Sequence, residues 1–262
     1  MSYAERIAIK SRRELERMRE AGRHTAEILL VLRDAARPGV TTAELDAIAA
    51  RELEKRGLRS PFLGYAPGGL PPYPAVLCVS INEEIVHGIP GSRELTEGDI
   101  LSLDFGVDLE GFHGDSAITI PIGPVPDEAQ RLIDTTREAL YAGIAQMVPG
   151  RRLSDIGHAV QTTAEKGGYS VVRQFVGHGI GRKMHEPPQV PNYGRPGRGP
   201  RLAPGMVFAL EPMVNVGTEE VRMLEDEWTA VTADGELSAH FEHTVAITEE
   251  GPLVLTGVAG SH

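Results

Sequence analysis

The stretch PGVTTAELDAIAARELEKRG, residues 38–57, returns later in the chain as PGRRLSDIGHAVQTTAEKGG, residues 149–168. Without any gap, the opening Pro-Gly, the Glu-Lys pair and a late Gly coincide at a constant offset of 111 residues. A long helical pattern precedes each copy, and a stretch rich in β-branched residues, Gly and Pro follows it. Two ordinary helical hairpins with common end signals would also give this match. We favour two halves of one α+β domain over residues 1–262, roughly 11–121 and 127–248, related by pseudo-twofold symmetry.

The helices are predicted from periodicity and end signals. Apolar or small residues recur at steps of three and four over residues 11–36, which indicates an amphipathic helix. Thr41 and Glu44 form a capping-box pattern, so a second helix is expected to begin there and to stop at Gly57. The second half repeats this order, with a long helix over residues 127–147 and a short one after it.

Composition excludes several classes of protein. The 26 Lys and Arg against 37 Asp and Glu give a formal charge of −11, which argues against non-specific binding to DNA or other nucleic acids. A hydrophobic fraction of 41% fits a globular chain with a core. The single cysteine, Cys78, excludes an intramolecular disulfide and a thiolate zinc cluster. Neither a secretory signal nor a run of about 18 apolar residues occurs, so we expect no membrane span and a cytoplasmic location.

Two carboxylates are predicted to face each other in a hairpin. Residues 100–107 and 112–121 have the pattern of two strands. A turn centred in the connecting residues 108–111 would place Asp104 directly opposite Asp115, about 5 Å apart at Cβ. Like charges in this position destabilise a sheet, and burial raises the cost, unless a cation neutralises both. The alternatives are that one Asp is protonated or that a slipped register leaves both in solvent.

A candidate histidine lies in the second half. His178 belongs to the glycine-interleaved VGHGIG, residues 176–181, which is followed by MHEPP, residues 184–188. This composition is too rich in Gly and Pro for a helix and predicts a shaped loop. No complete nucleotide-binding glycine pattern occurs there, so presentation of the imidazole is the better interpretation.

Two acids interrupt apolar strand patterns. Glu211 directly follows the apolar run 206–210, and Glu242 lies inside a strand predicted over residues 239–247. Each acid alone is best explained as a surface or ion-paired carboxylate. Together with the hairpin pair and the loop histidine, however, they form a set with four negative charges, which balances two divalent cations. Oxygen-rich sites with one imidazole favour Mn²⁺, Co²⁺ or Fe²⁺ over Zn²⁺, so a dinuclear hydrolase is predicted.

A set of short motifs runs through nearly the whole chain in a fixed order. They are Tyr73-Pro74, CVSINE (78–83), VHGIP (86–90), LDFG (103–106), Gly114-Asp115, GHGIG (177–181), HEPP (185–188), LEPM (210–213), EWT (227–229) and FEHT (241–244). The set closely resembles the type I methionine aminopeptidases. The resemblance implies the pita-bread fold of the creatinase and aminopeptidase group, a pseudo-twofold antiparallel sheet backed by two helical pairs. It also implies removal of the initiator methionine from nascent polypeptides whose second residue is small.

The resemblance further implies a ligand set for two divalent ions of Co, Mn or Fe, with Zn or Ni as alternatives. The ligands would be Asp104, Asp115, His178, Glu211 and Glu242. Asp115 and Glu242 would bridge the two ions, Asp104 would bind one of them, and His178 with Glu211 the other. The ions would convert a shared water to the hydroxide that attacks the first peptide carbonyl.

By the same resemblance, three residues would act on the reacting peptide. Glu211 would move the proton while it binds a metal, and His185 would donate to the developing oxyanion. His87 would hydrogen-bond the scissile amide. Without the family pattern, a structural histidine is the better explanation of His87.

The methionine side chain would lie, again by resemblance, among Tyr65, Tyr73, Cys78, Met184 and Trp228. Aromatic and sulfur groups suit a polarizable thioether, although core packing also explains Tyr73 and Trp228. Two features depart from the family pattern. Met184 stands where the family usually has Phe, and the inserted residues 66–72 lengthen the connection between the two tyrosines. Both leave the substrate preference open.

Two other functions are alternatives. The first is an Xaa-Pro aminopeptidase or dipeptidase on the same fold, whose members are generally longer and lack the pattern over residues 78–90. The second is a non-catalytic interaction module, which would have lost metal ligands that this chain keeps. The expected partners are the N-termini of nascent polypeptides, and a monomer is expected. Only the basic residues 10–23 point to a transient ribosome contact, and a solvated helix face explains them as well.

Overall fold

Four helices begin and end at residues that favour these positions. They are α1 (Arg12–Ala35), α2 (Thr42–Arg56), α3 (Asp127–Ile144) and α4 (Leu153–Lys166) in the computed structural model, which describes residues 7–257. Ser11 and Thr41 cap α1 and α2 through capping boxes, and α2 ends at Gly57 with a φ of 65°, which confirms the predicted boundaries. None of the described helices is long and apolar enough to cross a lipid bilayer.

The third helix is shorter than predicted. The apolar pattern extends to Met147, but α3 ends at Ile144. Beyond it, the amides of Gln146 and Met147 each bond at 2.9 Å to the carbonyl three residues earlier. Such bonds tighten the chain into a narrower turn, so Met147 stays buried although the α-helix has ended.

The two copies of the repeated segment have similar local geometry. Helix α4 begins at residue 153, 111 residues after α2 begins at residue 42. Gly39 and Gly150 have φ values of 85° and 87°, and Gly57 and Gly168 have values of 65° and 90°. Glycine adopts these left-handed values without strain, so the same Pro-Gly start and Gly stop shape the turns in both halves.

The described residues contain fourteen strands, and every pairing between them is antiparallel. The strands are β1 (Cys78–Ile81), β2 (Glu84–Val86), β3 (Ile100–Leu109), β4 (Phe112–Pro121), β5 (Ser170–Val171), β6 (Gly177–Gly179), β7 (Glu186–Val190), β8 (Val207–Leu210), β9 (Met213–Asn215), β10 (Val221–Met223), β11 (Ala230–Thr232), β12 (Ser238–His240), β13 (Glu242–Thr248) and β14 (Gly251–Val254). The main sheet has eight strands in the order β1-β3-β4-β13-β8-β6-β7, with β14 beside β13. Two three-stranded sheets have the orders β10-β11-β2 and β12-β9-β5.

Each helical pair covers one half of the main sheet. Helices α1 and α2 share an apolar cluster with β1 and β3, in which Leu45 and Phe105 are fully buried. Helices α3 and α4 share a second cluster with β8 and β13, in which Leu132 and Phe208 are fully buried. This burial of apolar faces between helices and sheet is the main stabilising term. The predicted fold, an antiparallel sheet backed by two helical pairs, is confirmed.

The β3–β4 hairpin is longer and tighter than predicted. Leu109 pairs with Phe112, which leaves Glu110 and Gly111 as a two-residue turn with φ values of 52° and 80°. Positive φ at both positions is the geometry that matches the twist of the flanking strands. The Gly111 amide donates to the Asp108 carboxylate at 2.7 Å and stabilises the turn.

This turn makes the predicted opposition of the two aspartates wrong. Asp104 lies opposite Ala117, and Asp115 lies opposite Gly106, a shift of two residues in register. A shift of two keeps every side chain on its face, so Asp104 and Asp115 still share one face of the hairpin.

Two predictions for the second half also need correction. The predicted loop around His178 contains two short strands, β6 and β7, because β7 is the last strand of the sheet and its prolines need not donate to a further neighbour. The strand predicted over residues 239–247 is two strands, β12 and β13, which lie on either side of Phe241 and belong to different sheets.

Candidate metal centre and substrate pocket

One row of residues crosses the main sheet and collects several of the predicted site residues. Cys78 pairs with Asp104 between β1 and β3, and Asp104 pairs with Ala117 between β3 and β4. Ala117 in turn pairs with Glu242 between β4 and β13. The ladder between β13 and β8 continues the row to Glu211, which directly follows β8. Residues directly opposite in a sheet share a face, so strand register alone brings these groups together.

Asp115 joins the row from the neighbouring rung of β4. It precedes Ala117 by two residues and therefore shares its face. At Asp115, the backbone of β4 bonds to the Thr244 side chain of β13 rather than to the β13 backbone. Its hydroxyl accepts from the Asp115 amide at 3.0 Å and donates to the Asp115 carbonyl at 2.8 Å. The backbone of Asp115 is satisfied in this way, and its carboxylate stays available to the site.

His178 reaches the site from β6, which lies between β7 and β8. A Cβ at Gly177 would lie 2.4 Å from the Ala209 carbonyl oxygen, and one at Gly179 would lie 2.3 Å from that of Pro187. The flanking glycines are therefore required by the close approach of three strands. Nδ1 of His178 donates to the Gly179 carbonyl at 2.9 Å, because a carbonyl only accepts. The Nε2 lone pair is left for a ligand.

The distances between these groups suit shared metal ions. Asp115, His178 and Glu242 each offer one ligand atom, and the three atoms lie within 4.8 Å of one another. Nε2 of His178 lies 3.5 Å from Glu211 Oε1 and 3.9 Å from Asp115 Oδ2. Two ligands of one ion can lie up to about 4.2 Å apart, twice a bond of about 2.1 Å. Both His178 distances are below this limit.

Burial and mutual repulsion disfavour the ionised carboxylates. Burial raises the pKa of Asp104 to about 7. Burial raises the pKa of Asp115, Glu211 and Glu242 well above the usual range, and the charges of neighbouring acids add to this effect. Burial, and then the ring of His185, lowers the pKa of His178 to about 3, so this imidazole is neutral near pH 7. A cation would favour the ionised acids and would be bound by the neutral imidazole.

Unpartnered oxygens show that the site fits a cation. One carboxylate oxygen each of Asp104, Asp115 and Glu242 is buried and accepts no hydrogen bond from the described residues. Buried polar atoms without a partner are rare in proteins, and a divalent ion would satisfy all three. The donor set of carboxylates and one imidazole is typical of hard or borderline divalent metals. The residues present therefore fit divalent metal ions.

A cavity of about 370 Å³ opens beside the carboxylates. All twelve residues that sequence reasoning singled out line it: Tyr65, Tyr73, Cys78, His87, Asp104, Asp115, His178, Met184, His185, Glu211, Trp228 and Glu242. Sequence reasoning missed six further lining residues, which are Phe62, Pro67, Leu70, Phe175, Met223 and Glu227. Pro67 and Leu70 lie in the lengthened connection, which gave a signal for their position. Glu227 belongs to the EWT motif, residues 227–229, but was given no role. The other three carried no signal.

Tyr73 and Trp228 are core residues and pocket walls at once. The Tyr73 hydroxyl lies 3.1 and 2.9 Å from the carbonyl oxygens of Leu77 and Gly88, which share its one proton, and its ring meets that of Trp228 edge-on at 5.1 Å. Cys78 packs with them. Burial, and then the charge of Asp104, raises the pKa of the Cys78 thiol. The thiol is therefore a neutral wall of the cavity rather than a thiolate ligand.

The connection over residues 66–72 forms a lip over the cavity. Its ends are joined by a bond from the Tyr73 amide to the Tyr65 carbonyl at 2.8 Å, and residues 67–69 make a single 3₁₀ turn. Nε1 of Trp228 donates to the Pro71 carbonyl at 3.0 Å. Because Leu70 packs against the Tyr73 and Trp228 cluster, the lip is part of the pocket wall.

Two neutral histidines lie beside the carboxylates. His87 has a φ of 61°, which few residues other than glycine adopt and which is concentrated at functional sites. Burial, and then the ring of His185, lowers the pKa of His87 to about 4. The ring of His185 lies 4.2 Å from that of His178, and its Nδ1 lies 2.8 Å from the Tyr65 hydroxyl. Burial also lowers the pKa of His185.

Comparison with known proteins agrees with this site. The profile described as metallopeptidase family M24 matches residues 16–249. The chain belongs to metallopeptidase family M24. "Methionine aminopeptidase 1" of Bacillus subtilis is 52% identical to it over 252 residues, which is 96% of this chain and 100% of that relative. The crystal structure of methionine aminopeptidase from Rickettsia prowazekii has a TM-score of 0.93 at 40% identity, with 96% of this chain and 100% of that chain covered.

These relatives confirm the resemblance to the type I methionine aminopeptidases, and they confirm the metallopeptidase class. The prolidase from Pyrococcus horikoshii OT3 is also similar, with a TM-score of 0.75 at 18% identity over 97% of this chain and 64% of that chain. At this identity the similarity shows the shared fold alone. The Xaa-Pro peptidase alternative is therefore less well supported.

Proposed function

We propose that this M24 metallopeptidase removes the N-terminal methionine from polypeptides whose second residue is small, with the whole chain as one catalytic domain. One observation carries the proposal. The cavity has an aromatic and sulfur wall made of Tyr73, Cys78, Met184 and Trp228, and the same cavity ends at the buried carboxylates. A thioether side chain packed against that wall would hold the first peptide carbonyl at the metal site.

The proposed ligands are Asp104, Asp115, His178, Glu211 and Glu242, with two divalent ions. Their register across the sheet and the unpartnered oxygens of three of them support this set. Mn²⁺, Co²⁺ and Fe²⁺ suit the oxygen-rich donors best, with Zn²⁺ and Ni²⁺ as alternatives. When bound, such ions lower the pKa of a water molecule and polarise a peptide carbonyl.

The side chains of the site would orient the peptide and move its protons. Glu211 follows β8 at the end of the row and lies 3.5 Å from His178, where it can accept a proton and release it to the leaving amine. His185 would donate a hydrogen bond to the oxyanion that forms, and His87 would bond to the scissile amide. The lowered pKa of each histidine supports these roles, because a neutral imidazole has both a donor and an acceptor nitrogen.

The proposed partners are the N-termini of nascent polypeptides. The protein would act on them as a monomer in the cytoplasm. The basic residues 10–23 give little support for a ribosome contact. Lys10 is in an ion pair with Glu186 at 2.7 Å, and Arg23 is in one with Glu27 at 2.5 Å. Charges neutralised within the chain contribute little to attraction at a distance.

A peptide panel tests the proposal. The protein is stripped with a chelator, reloaded separately with Mn²⁺, Co²⁺ or Fe²⁺, and assayed on Met-Ala-Ser and on peptides of the form Xaa-Pro. We expect no hydrolysis without metal, recovery on reloading, and cleavage of Met-Ala-Ser only. A fully active metal-free protein, or preferential cleavage of Xaa-Pro peptides, would overturn it. His185→Ala should lower kcat more than it raises KM, because the bond to the oxyanion forms only in the transition state.

A further inference from the structure

The basic residues of this acidic chain are unevenly neutralised. Within the described chain, ten arginines are in ion pairs with carboxylates. Five others, none of them in an ion pair with a described carboxylate, occur together on two neighbouring segments, residues 150–155 and 194–202. We call these five the arginine patch: Arg151, Arg152, Arg195, Arg198 and Arg201.

Backbone pairing brings the two segments of the arginine patch together. Arg152 and Arg201 form an antiparallel bridge, and the Leu202 amide bonds to the Arg151 carbonyl at 2.8 Å. Residues directly opposite in such a pair have Cβ atoms about 5 Å apart, and like charges there are destabilising. Nη1 of Arg152 donates to Gly199 O at 2.7 Å, and Nη1 of Arg201 donates to Gly150 O at 3.0 Å. These carbonyls orient the guanidinium groups without neutralising them.

The loop that carries three of these arginines presents them to solvent. Residues 194–201 read GRPGRGPR and consist of Gly, Pro and Arg alone, and residues 195–201 are all exposed. Two acids lie near the loop. Glu165 lines a surface cleft together with Arg195. Asp155 accepts from the Arg152 amide at 2.8 Å and from the Gly197 amide at 2.6 Å, so its carboxylate organises the backbone. Five guanidinium groups and two carboxylates leave a local charge of +3, from 5 − 2, in a chain of −11.

We propose that the arginine patch is a docking surface for the phosphodiester backbone of RNA. Guanidinium groups match phosphate oxygens in bidentate geometry, and a row of them on an exposed loop follows a row of phosphates. The loop has no large apolar or aromatic side chain, which an interface with an acidic protein would need at its centre. The overall charge of −11 argues against binding through the whole surface but not through one local patch.

The inference rests on the proposed function for its biological setting only. A peptidase that acts on nascent N-termini meets its substrate beside the RNA-rich particle that makes them. A weak, salt-sensitive contact with RNA would raise its local concentration there without slowing its release. Three contacted phosphates would give a slope of about −2.7 in a plot of log K against log salt concentration, at about 0.9 per phosphate in a duplex.

Fluorescence anisotropy with a labelled 20-base-pair RNA duplex tests this proposal on the full chain between 50 and 200 mM salt. The test variant is Arg151→Gln/Arg198→Gln, because neither side chain donates a hydrogen bond to a described residue and the loop should keep its structure. The control is Arg51→Gln/Arg131→Gln, which removes two exposed helical arginines that are likewise outside any described ion pair. We expect at least tenfold weaker binding at 50 mM salt for the test variant, a salt slope reduced by about 1.8, and a change below twofold for the control.

Three outcomes would overturn the proposal. The first is that the wild-type chain does not bind the RNA at 50 mM salt, and the second is that both variants weaken binding equally. The third is that an acidic peptide of equal charge displaces the RNA at equal concentration, which would identify a protein partner instead. Hydrolysis of Met-Ala-Ser is measured in parallel and should be the same in all three proteins. Loss of that activity in the wild-type chain would contradict the proposed function and leave the RNA result unaffected.

Discussion

Asp104 and Asp115 are diagonal neighbours on one face of the β3–β4 hairpin, with Asp104 opposite Ala117 and Asp115 opposite Gly106. Neither opposing residue has a side chain larger than a methyl group, so nothing on the hairpin separates the two carboxylates. Glu242 lies opposite Ala117 on the other side and completes the group. A sheet that gathers unpartnered acids in this way is built to bind a cation, and stability should depend on whether one is bound.

Glu242→Gln should stabilise the metal-free protein and abolish most of its response to metal. Glu242 is 2% exposed, with one oxygen lacking a partner and with Asp115 as its neighbour, so the folded metal-free protein must either ionise this acid at a cost or take up a proton, and Gln does neither. We expect a gain of about 1–3 kcal/mol without metal. This corresponds to roughly 2–4 °C in Tm for each kcal/mol in a chain of this size. Thermal unfolding in chelator and in Mn²⁺ measures both effects.

The matched control for Glu242→Gln is Glu54→Gln, which changes an exposed acid on α2. This control should leave Tm unchanged both in chelator and in Mn²⁺, and it should leave hydrolysis of Met-Ala-Ser unchanged. Glu242→Gln, in contrast, should lower kcat/KM by at least about 100-fold. An undiminished Mn²⁺ response in Glu242→Gln would remove this residue from the ligand set.

The stability difference between wild type and Asp104→Asn should depend on pH. In the metal-free protein, burial raises the pKa of Asp104 to about 7, against about 3.9 in an unfolded chain. The folded state therefore holds this proton more tightly, and the resulting stabilisation is complete below about pH 4 and is lost as the pH rises through about 7. The histidines, whose lowered pKa has the opposite effect, are the same in both proteins and cancel from the difference.

Urea unfolding in chelator between pH 4.5 and 8 checks the Asp104→Asn prediction. The advantage of Asp104→Asn over wild type should grow across this range to a few kcal/mol, at about 1.4 kcal/mol for each unit of pKa shift. Added Mn²⁺ should reverse the order of stability at pH 8. A constant difference across the range would show that Asp104 is ionised in the folded metal-free protein.

Much of the fold could be predicted because its signals are local. The capping boxes and Gly57 fixed the helix ends, since the side chains that satisfy a helix terminus are adjacent in sequence. The hairpin register was missed because the turn places Glu110, a residue that rarely adopts positive φ, in a left-handed conformation. Arg17 of α1 forms an ion pair with Glu110 there. A contact between residues 93 positions apart leaves no local trace.

The site was predictable for a different reason. An acid that interrupts an apolar strand is costly if it is buried, so Glu211 and Glu242 pointed to a site once they were taken together with the hairpin pair and the loop histidine. The family resemblance then supplied the proposed roles, which spacing alone could not. Phe62 and Phe175 line the same cavity, but an apolar residue at a pocket wall has the same sequence signature as one in a core. The ladder that places Asp104, Ala117 and Glu242 in one row depends on strand order, which only the folded sheet reveals.

Trp228→Phe should weaken substrate binding more than it slows turnover. The change removes the indole N–H that bonds to the Pro71 carbonyl at 3.0 Å and keeps an aromatic ring beside Tyr73. The lip over the cavity loses one bond worth about 1 kcal/mol, so KM for Met-Ala-Ser should rise about fivefold with kcat nearly unchanged. Steady-state kinetics measure the split.

The control for Trp228→Phe is Tyr193→Phe, which removes a comparable bond to the Arg173 carbonyl outside the pocket. It should change neither kinetic constant. A fall in kcat at constant KM for Trp228→Phe would mean that this residue acts on the reacting atoms rather than on the lip.

Gly179→Ala should destabilise the protein and weaken its metal site together, because Gly179 holds β6 against β7 beside His178. A Cβ at this position would lie 2.3 Å from the Pro187 carbonyl oxygen, so one of the two strands must move. Overpacking of this kind costs about 1–3 kcal/mol, and a shift of β6 would displace the imidazole from the carboxylates. Tm should therefore fall with and without Mn²⁺, and the Mn²⁺ response should shrink. Gly91→Ala is the control, since a Cβ there meets no atom within 4 Å, and it should be neutral or stabilising by up to about 1 kcal/mol. Unchanged stability and metal response in Gly179→Ala would show that the strands yield without moving His178, and that the glycines beside it do not set its position.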